Sequence, residues 1–259
     1  RFRKLVLPIQ KYIKNTPLER NDFLSNKFNA NIYFKREDLQ FTRSFKIRGA
    51  LHKILKNDTT STLVTASAGN HAQGVAYACK LLNKKGTIFL PNTTPLQKIN
   101  RIKYFGDTNI TIKILGNNFN ESLEEAIEYS NVNNHLFIHP FDDLDIIEGQ
   151  STIATEILDG LDKVPDYIVC SVGGGGLISG ISDVIADALA NTNSLKPTII
   201  GVESSGAASL YTSLKYNKRI RLKNIDNFVD GASVNQIGKY NFNKILKNNN
   251  IIKIIKISN

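Results

Sequence analysis

The 259-residue sequence contains no methionine and no tryptophan, and it has only two cysteines. Cys79 and Cys170 show neither a CxxC motif nor a Cys/His spacing, and they fall in a helix-like and a strand-like context. This pattern argues against a zinc site and is typical of buried thiols in a reducing compartment. We therefore predict a protein without a metal site.

Long apolar runs are also lacking. Stretches such as Tyr167 to Val172 and Thr198 to Val202 are interrupted after a few residues, whereas a membrane span needs roughly 20. The N-terminal residues do not show the charged, apolar and small-residue order of a secretory signal. We therefore expect a cytoplasmic protein without a membrane partner.

Acidic residues are outnumbered by basic ones. There are 33 Lys and Arg against 23 Asp and Glu, a net charge of +10, and such an excess can indicate a nucleic-acid partner. The lysines are scattered among asparagine and isoleucine, however, and the nearest approach to a cluster is Lys215 to Lys223. We expect no nucleic-acid partner. Hydrophobic residues make up 41% of the chain and charged residues 22%, which is ordinary for a globular protein that buries a core.

Short apolar segments alternate with amphipathic ones from Thr62 onward. The amphipathic segments have helical spacing and lengths of roughly 10 to 15 residues. Strands alternating with such helices predict an α/β fold with two parallel-sheet, three-layer domains, and a ligand site between them at the carboxyl ends of the strands. The predicted strands are Thr62 to Thr65, Thr87 to Leu90, Ile110 to Leu115, His135 to Ile138, Tyr167 to Val172, Thr198 to Val202 and Ile251 to Ile257.

Four consecutive glycines, Gly173 to Gly176, follow a predicted strand and precede a helix that begins near Leu177. Without side chains, successive backbone N–H groups can converge on an anion, and the helix N-terminus adds its positive end. A plain flexible turn is the alternative, although a turn needs fewer glycines. The run is not GxGxxG and lacks the Lys-Ser/Thr of a P-loop, so a phosphate of another ligand is favoured over ATP or a dinucleotide.

Two further segments offer reactive or binding groups. Lys46 follows Phe45 at the start of a helix, where a lysine is usually a solvated charge but can, when desolvated, bond to the aldehyde of a phosphate-bearing cofactor. The start of another predicted helix lies within Ser67 to Gly74. Its backbone N–H groups can receive a carboxylate, although Ser67 can also act as an ordinary helix cap. His71 alone is more often structural than catalytic, and no GxSxG motif suggests acyl transfer.

Taken together, Lys35 to Gln40, Ser44 to Ala50, Ser67 to Gly74 and Gly173 to Gly176 resemble the fold-type II pyridoxal-phosphate enzymes, and within them the threonine dehydratase (threonine ammonia-lyase) family. The resemblance continues through Phe228 to Val234 and covers nearly the whole chain. It implies a tryptophan synthase β-like fold with a large discontinuous domain, residues 1–61 and 135–259, and a small inserted domain, residues 62–134.

The resemblance also implies roles for individual residues. Lys46 would bind pyridoxal 5'-phosphate covalently as a Schiff base and act as the base, with Phe45 packed beside the cofactor ring. The other cofactor-binding residues would be Asn70, Gly173, Gly174, Gly175, Gly176, Leu177 and Gly231. The substrate would be held by Ser67, Ala68, Gly69, Asn70 and His71.

Two features depart from the family pattern. His52 stands where relatives commonly have asparagine. The Glu-Pro-Ala-Gly-Ala-like helix and the Ser-Gly-Gly-Asn-like loop of relatives are not found, and the strand-like Ile251 to Ile257 has no helix after it. We therefore expect the C-terminal part of the fold to be missing from this chain.

The implied activity is a lyase reaction in amino-acid metabolism, within isoleucine biosynthesis. L-Threonine, and also L-serine, would undergo β-elimination to 2-oxobutanoate or pyruvate and ammonia, in a homo-oligomer of two or four subunits. Serine racemase, serine dehydratase and an O-acetylserine-type lyase are alternatives within the same fold. An inactive amino-acid-binding protein is an alternative of another class.

Overall fold

The structure, a computed structural model, describes residues 8–57, 61–188, 190 and 196–258. It has two parallel β-sheets, each packed against helices, and one antiparallel strand pair. The strands are β1 (Leu18–Arg20), β2 (Tyr33–Lys35), β3 (Leu63–Ala66), β4 (Gly86–Leu90), β5 (Ile110–Ile114), β6 (Leu136–Phe137), β7 (Tyr167–Ser171), β8 (Thr198–Ser204) and β9 (Ile252–Ile257). The helices are α1 (Asp22–Phe28), α2 (Lys46–Lys56), α3 (Asn70–Leu81), α4 (Leu96–Gly106), α5 (Phe119–Val132), α6 (Leu144–Gly160), α7 (Gly176–Ala188), α8 (Ser209–Lys215) and α9 (Lys239–Lys247).

The first sheet has the strand order β5-β4-β3-β6, with all strands parallel. Every residue of β3 and β4 is buried, which is the burial expected of strands covered on both faces. On one face Leu63 and Ile88 pack against α2, α3 and α4, and on the other Val64 and Phe89 pack against α5. The sheet is therefore the middle layer of three.

The second sheet has the order β7-β8-β9 and is also parallel. Its strands pack against α7 through Ile178 and Ile181, and the same core includes residues of α6, α8 and α9. At the β7 edge, Tyr167 and Val169 are largely exposed. The predicted α/β class with parallel sheets in helical layers is confirmed.

Several elements were not predicted from the sequence. The pair β1-β2 and helix α1 come before the regular alternation, and α9 occupies a stretch rich in asparagine. Helix α9 begins where the Asp142 carboxylate accepts the backbone N–H groups of Lys239 and Tyr240, at 2.7 and 2.8 Å. A cap supplied from about a hundred residues away has no local sequence signal.

The division into residues 1–61 with 135–259 and residues 62–134 stays a prediction, and its ends at residues 1–7 and at Asn259 lie outside the described residues. Within the described part of the chain, no helix combines the length and apolar character that a membrane span requires.

Candidate active site

Three helices begin at the motifs that the sequence singled out. Helix α2 begins at Lys46, α3 at Asn70 and α7 at Gly176. Contacts through the 139–142 segment and the loop at Gly231 link these three starting points, as described below. The predicted residues, although far apart in sequence, therefore lie around one place.

Lys46 presents a desolvated amine there. Its Nζ donates to the Pro140 carbonyl oxygen at 2.8 Å and lies 5.5 Å from the centre of the Phe45 ring. Burial of the ammonium lowers the pKa of Lys46 to about 8, because the charged form loses its hydration. About a tenth of the amine is thus neutral at pH 7, far more than in an ordinary lysine, and the neutral form is what a nucleophile or base requires.

Two neutral imidazoles flank this amine. Burial, with a further contribution from the Lys46 charge, lowers the pKa of His71 to about 3, and its ring nitrogen Nε2 lies 3.0 Å from the Ile138 carbonyl oxygen. Burial also lowers the pKa of His139 to about 4. His139 Nδ1 accepts the backbone N–H groups of Phe141 and Asp142, at 3.2 and 2.8 Å. His139 therefore holds the segment that presents the Pro140 carbonyl to Lys46.

The glycine loop offers a row of backbone donors. Gly174, Gly175 and Gly176 are buried, and among the described residues no acceptor takes the N–H groups from Gly173 to Leu177. Buried N–H groups are almost always paired. An unpaired row of N–H groups at the start of α7 can receive the oxygens of an anion.

The conformation of the loop excludes side chains. Gly175 has φ +92°, in the region that favours glycine. A Cβ at Gly174 would overlap the Phe141 ring, and one at Gly173 would lie 3.1 Å from backbone atoms of Ala232. The run of glycines is thus required by close packing on two other segments, which a free turn would not need.

The segment around Gly231 closes another side. The Asn70 amide nitrogen is the nearest atom to a Cβ placed on Gly231, at 3.9 Å. The neighbouring Asp230 forms a 2.6 Å ion pair with Lys98 of α4. Helices α3 and α4, which pack on the first sheet, are thereby joined to a loop whose Ala232 packs on Gly173, just beyond the end of β7.

The segment Ser67 to Gly69 leads directly into α3. The Ser67 hydroxyl accepts the Gly69 N–H at 3.2 Å, Ala68 is half-buried, and a Cβ on Gly69 would meet nothing within 4 Å. Asn70 is exposed. The predicted substrate-binding residues therefore line open space at a helix N-terminus, with the exception of His71, whose ring is buried.

Arg48 is an important residue that the sequence did not single out. Its side chain is fully buried and makes paired hydrogen bonds to the carboxylates of Glu37 and Glu156, at 2.6 to 2.9 Å. Such bidentate bonds fix orientation. They hold the first turn of α2, two residues after Lys46, against α6 and the turn that follows β2. An arginine on the buried face of this helix, with acidic residues in the Lys35 to Gln40 motif, was the available signal.

His52 belongs to an ionic cluster farther along α2. Its ring nitrogen lies 2.8 Å from the Glu148 carboxylate, and Asp145 completes a group of possible metal ligands. Lys53 and Lys56 form ion pairs with the same Asp145 and Glu148 carboxylates. These ammonium groups already neutralise the carboxylates, so the cluster joins α2 to α6 without calling for an ion.

A groove of about 650 Å³ lies between β2 and β7. Phe34 and Val169 line it, together with Phe45 and Leu177, which are two of the predicted cofactor-binding residues. Neither Lys46 nor the glycines of the loop line this groove. The groove therefore shares two residues with the predicted site but contains neither its amine nor its glycines.

Comparison with known proteins decides the family. Residues 9–258 match the family described as pyridoxal-phosphate dependent enzyme. The chain belongs to the pyridoxal-phosphate-dependent enzyme family. It is 48% identical over 243 residues to the biosynthetic L-threonine dehydratase IlvA of Staphylococcus epidermidis, a match that covers 91% of this chain and 56% of the relative. The chain spans about half the length of the curated relatives it matches.

Solved structures of this pyridoxal-phosphate-dependent family share the fold. The processed form of threonine deaminase isoform 2 from Solanum lycopersicum is 37% identical, with a TM-score of 0.88 over 97% of this chain and 67% of that one. Maize serine racemase is 27% identical, with a TM-score of 0.83 over 96% and 73% of the two chains. The predicted fold-type II architecture is confirmed by these likenesses.

The residues present fit the family's cofactor. Pyridoxal phosphate carries an aldehyde, which an amine can attack, and a phosphate, which backbone N–H groups can hold. Lys46 supplies an amine whose pKa is lowered by burial, and the loop from Gly173 supplies N–H groups that no acceptor among the described residues takes. The donor chemistry of the site thus matches both functional groups.

The lowered pKa of Lys46 has a measurable effect on stability. The folded-state pKa of Lys46 is about 8, which lies below the value near 10.4 of an unfolded lysine. The charged Lys46 therefore lowers the free energy of unfolding by its full amount below pH 8, and this loss disappears between about pH 8 and 10. We expect the cofactor-free Lys46→Met variant to be more stable than the wild type at pH 7 by about 2 kcal/mol, after allowance for partial exposure.

Chemical denaturation of both cofactor-free proteins at pH 7 and pH 10 measures this difference. The difference in the free energy of unfolding between the variant and the wild type should become smaller as the pH rises. A gain that stayed constant would show that the Lys46 ammonium is well solvated.

Proposed function

We propose that the protein to which this chain belongs converts L-threonine to 2-oxobutanoate and ammonia, with pyridoxal phosphate as cofactor and L-serine as a second substrate. The observation that carries the proposal is that the Lys46 amine and the glycine loop contact adjacent residues: Lys46 Nζ donates to the Pro140 carbonyl, and Gly174 and Gly176 pack on Phe141. The names of the relatives, a threonine dehydratase and a threonine deaminase, support threonine as the substrate.

Lys46 has two tasks in this proposal. When bound, pyridoxal phosphate supplies an aldehyde for covalent attachment and an electron-poor ring that stabilises negative charge at the substrate α-carbon. The neutral Lys46 amine provides the point of attachment and, once released by the substrate, removes the α-proton. A positioned base of this kind accelerates proton transfer by roughly 10² to 10⁴.

The remaining residues hold and orient the reactants. The loop from Gly173 to Gly176, with Leu177, would donate N–H groups to the cofactor phosphate, and Phe45, Asn70 and Gly231 would contact the rest of the cofactor. The substrate carboxylate is received at the start of α3, by Ser67 to His71. The β-hydroxyl leaves as water, and one water is taken up again when the nitrogen departs as ammonia, so the overall reaction balances without an oxidant.

The test is an assay of the full-length protein, loaded with pyridoxal phosphate, on L-threonine. Formation of 2-oxobutanoate and ammonia in equal amounts supports the proposal. The inactive amino-acid-binding protein predicts no product, and a mainly serine-directed enzyme predicts pyruvate from L-serine with little 2-oxobutanoate. Size-exclusion chromatography with light scattering on the same sample tests the expected dimer or tetramer.

Ala68 favours elimination over racemisation. Racemases of this fold, by resemblance, place a serine hydroxyl where Ala68 stands, on the cofactor face opposite the lysine. The half-buried Ala68 packs against the hydrophobic cluster that includes Ile88 and Leu90, and its methyl group cannot donate a proton. Without that acid, reprotonation from this face is slow and the hydroxyl leaves instead.

We therefore expect D-serine to form from L-serine at least about tenfold more slowly than 2-oxo acid, and Ala68→Ser to narrow this ratio. Chiral chromatography of D-serine, alongside a pyruvate assay, measures both rates in one reaction. Comparable rates in the wild type would contradict the role given to Ala68.

A further inference from the structure

Asn241 of α9 joins two segments of the site. Its side chain is fully buried, and its Nδ2 donates to the Gly174 carbonyl at 2.8 Å and to the Phe141 carbonyl at 3.0 Å. Gly174 lies in the glycine loop, and Phe141 follows Pro140, whose carbonyl accepts from Lys46 Nζ. A single amide group thus connects the glycine loop to the segment whose Pro140 carbonyl accepts the hydrogen bond from Lys46.

The orientation of this amide shows which of its bonds matter. Asn241 Oδ1 is buried and has no hydrogen-bond partner among the described residues, which costs about 1–3 kcal/mol. A flipped amide would direct that oxygen at two carbonyl oxygens and lose both donated bonds. The amide therefore leaves its acceptor unpaired in order to keep both N–H donors on the two segments.

The surroundings hold Asn241 in place from both sides. The carboxylate of Asp142 fixes the N-terminal turn of α9, where it accepts the N–H groups of Lys239 and Tyr240. The Gly238 N–H donates to the same Gly174 carbonyl at 3.2 Å. A Cβ placed on Gly175 would lie 2.9 Å from the Asn241 Cβ. The loop, the 139–142 segment and α9 therefore have little freedom to move separately.

We propose that Asn241 is a positioning residue that sets the affinity of the glycine loop for the cofactor phosphate and couples the loop to the segment that holds Lys46. The inference rests on the proposed function only in taking the loop as the phosphate site. Two carbonyls need two N–H groups from one small side chain, and among neutral residues only an amide supplies them. Other residues at this position lose one bond or both.

A series of substitutions separates positioning from general packing. Asn241→Ser keeps at most one donor, Asn241→Ala keeps none, and Asn241→Asp places a carboxylate against two carbonyls. We expect the Kd for pyridoxal phosphate, measured by fluorescence titration, to rise about 3- to 10-fold per lost bond and most in Asn241→Asp. The phosphorus-31 resonance of the bound cofactor should shift or broaden in the same order.

Asn248 provides the matched control. It is a buried asparagine at the end of the same helix, and its Nδ2 donates to Ser182 Oγ and to the Asp183 carboxylate, away from the site. We expect Asn248→Ala to lower the thermal midpoint of the cofactor-free protein as Asn241→Ala does, but to leave the Kd and the phosphorus-31 signal unchanged. If Asn241→Ala does not fold, Asn241→Ser carries the comparison.

The outcomes are distinguishable. Equal stability losses with an unchanged Kd in the Asn241 variants would overturn the inference and make the residue purely structural. A wild type that binds no pyridoxal phosphate would overturn the inference and the proposed function together. A wild type that binds the cofactor but leaves threonine unchanged would overturn only the proposed reaction, and the binding series would still decide the role of Asn241.

Discussion

Replacing Lys46 with alanine should reduce deamination of threonine by at least about a thousandfold, because both the attachment of the cofactor and the removal of the α-proton depend on its amine. The fold should persist, because the variant loses the hydrogen bond from the Lys46 amine to Pro140 but also loses the unfavourable burial of the charged amine. The variant should also lose the visible absorbance of the bound cofactor. Steady-state kinetics and an absorption spectrum of the purified holoprotein measure the two effects.

Lys56→Ala is a suitable control. Lys56 lies on the same helix, is about half exposed and pairs with Asp145 and Glu148, so its loss should leave turnover and colour nearly unchanged. Borohydride reduction followed by peptide mass spectrometry should place a single pyridoxyl group on Lys46. Near-normal turnover in Lys46→Ala, or modification of a different lysine, would refute the assignment.

A side chain in the glycine loop should abolish tight cofactor binding. At Gly174 a Cβ overlaps the Phe141 ring, and at Gly175 it lies 2.6 Å from Ile237 Cδ1 at a backbone φ of +92°. The loop must shift to accept either, and the N–H groups that face the ligand then lose their alignment. We expect Gly174→Val and Gly175→Val to weaken pyridoxal phosphate binding by about a hundredfold or more, as measured by equilibrium titration.

Gly160→Ala tests whether any added methyl group has this effect. A Cβ there would meet the end of the flexible Leu18 side chain at 3.2 Å, outside the site, and cofactor affinity should stay the same. Unchanged affinity in the two loop variants would instead restore the interpretation of the glycines as a plain turn. Circular dichroism on all three variants shows whether each has folded.

The succession of strands and helices along the chain could be predicted from the sequence because it depends on local periodicity. Segments such as Leu63–Ala66 and Gly86–Leu90 are buried on both faces, so their sequences are apolar apart from one threonine each. The glycine run was equally visible, because so many adjacent glycines are costly unless the backbone itself is needed. Lys46 became a candidate only because that loop implied a phosphate-bearing ligand.

The partners of those residues could not be predicted in the same way. Pro140, Asp142 and Asn241 act through a carbonyl, a cap and an amide, and each acts on a segment far away along the chain. Their residue types are ordinary for loops and helix starts, so no local pattern distinguishes them. Arg48 is hidden for a related reason, since its two carboxylate partners come from separate elements.

The hydrogen bonds around Lys46 and Gly174 join residues 94, 67 and 100 positions apart. Loop-closure entropy must be overcome before such distant pairs form, so we expect these contacts to be among the later ones to form during folding. A nascent or partly folded chain then has no complete pocket, and a ligand that binds only the finished state draws the population toward it by mass action. Binding of the cofactor would thereby raise the folded fraction of newly synthesised chains and reduce their proteolysis.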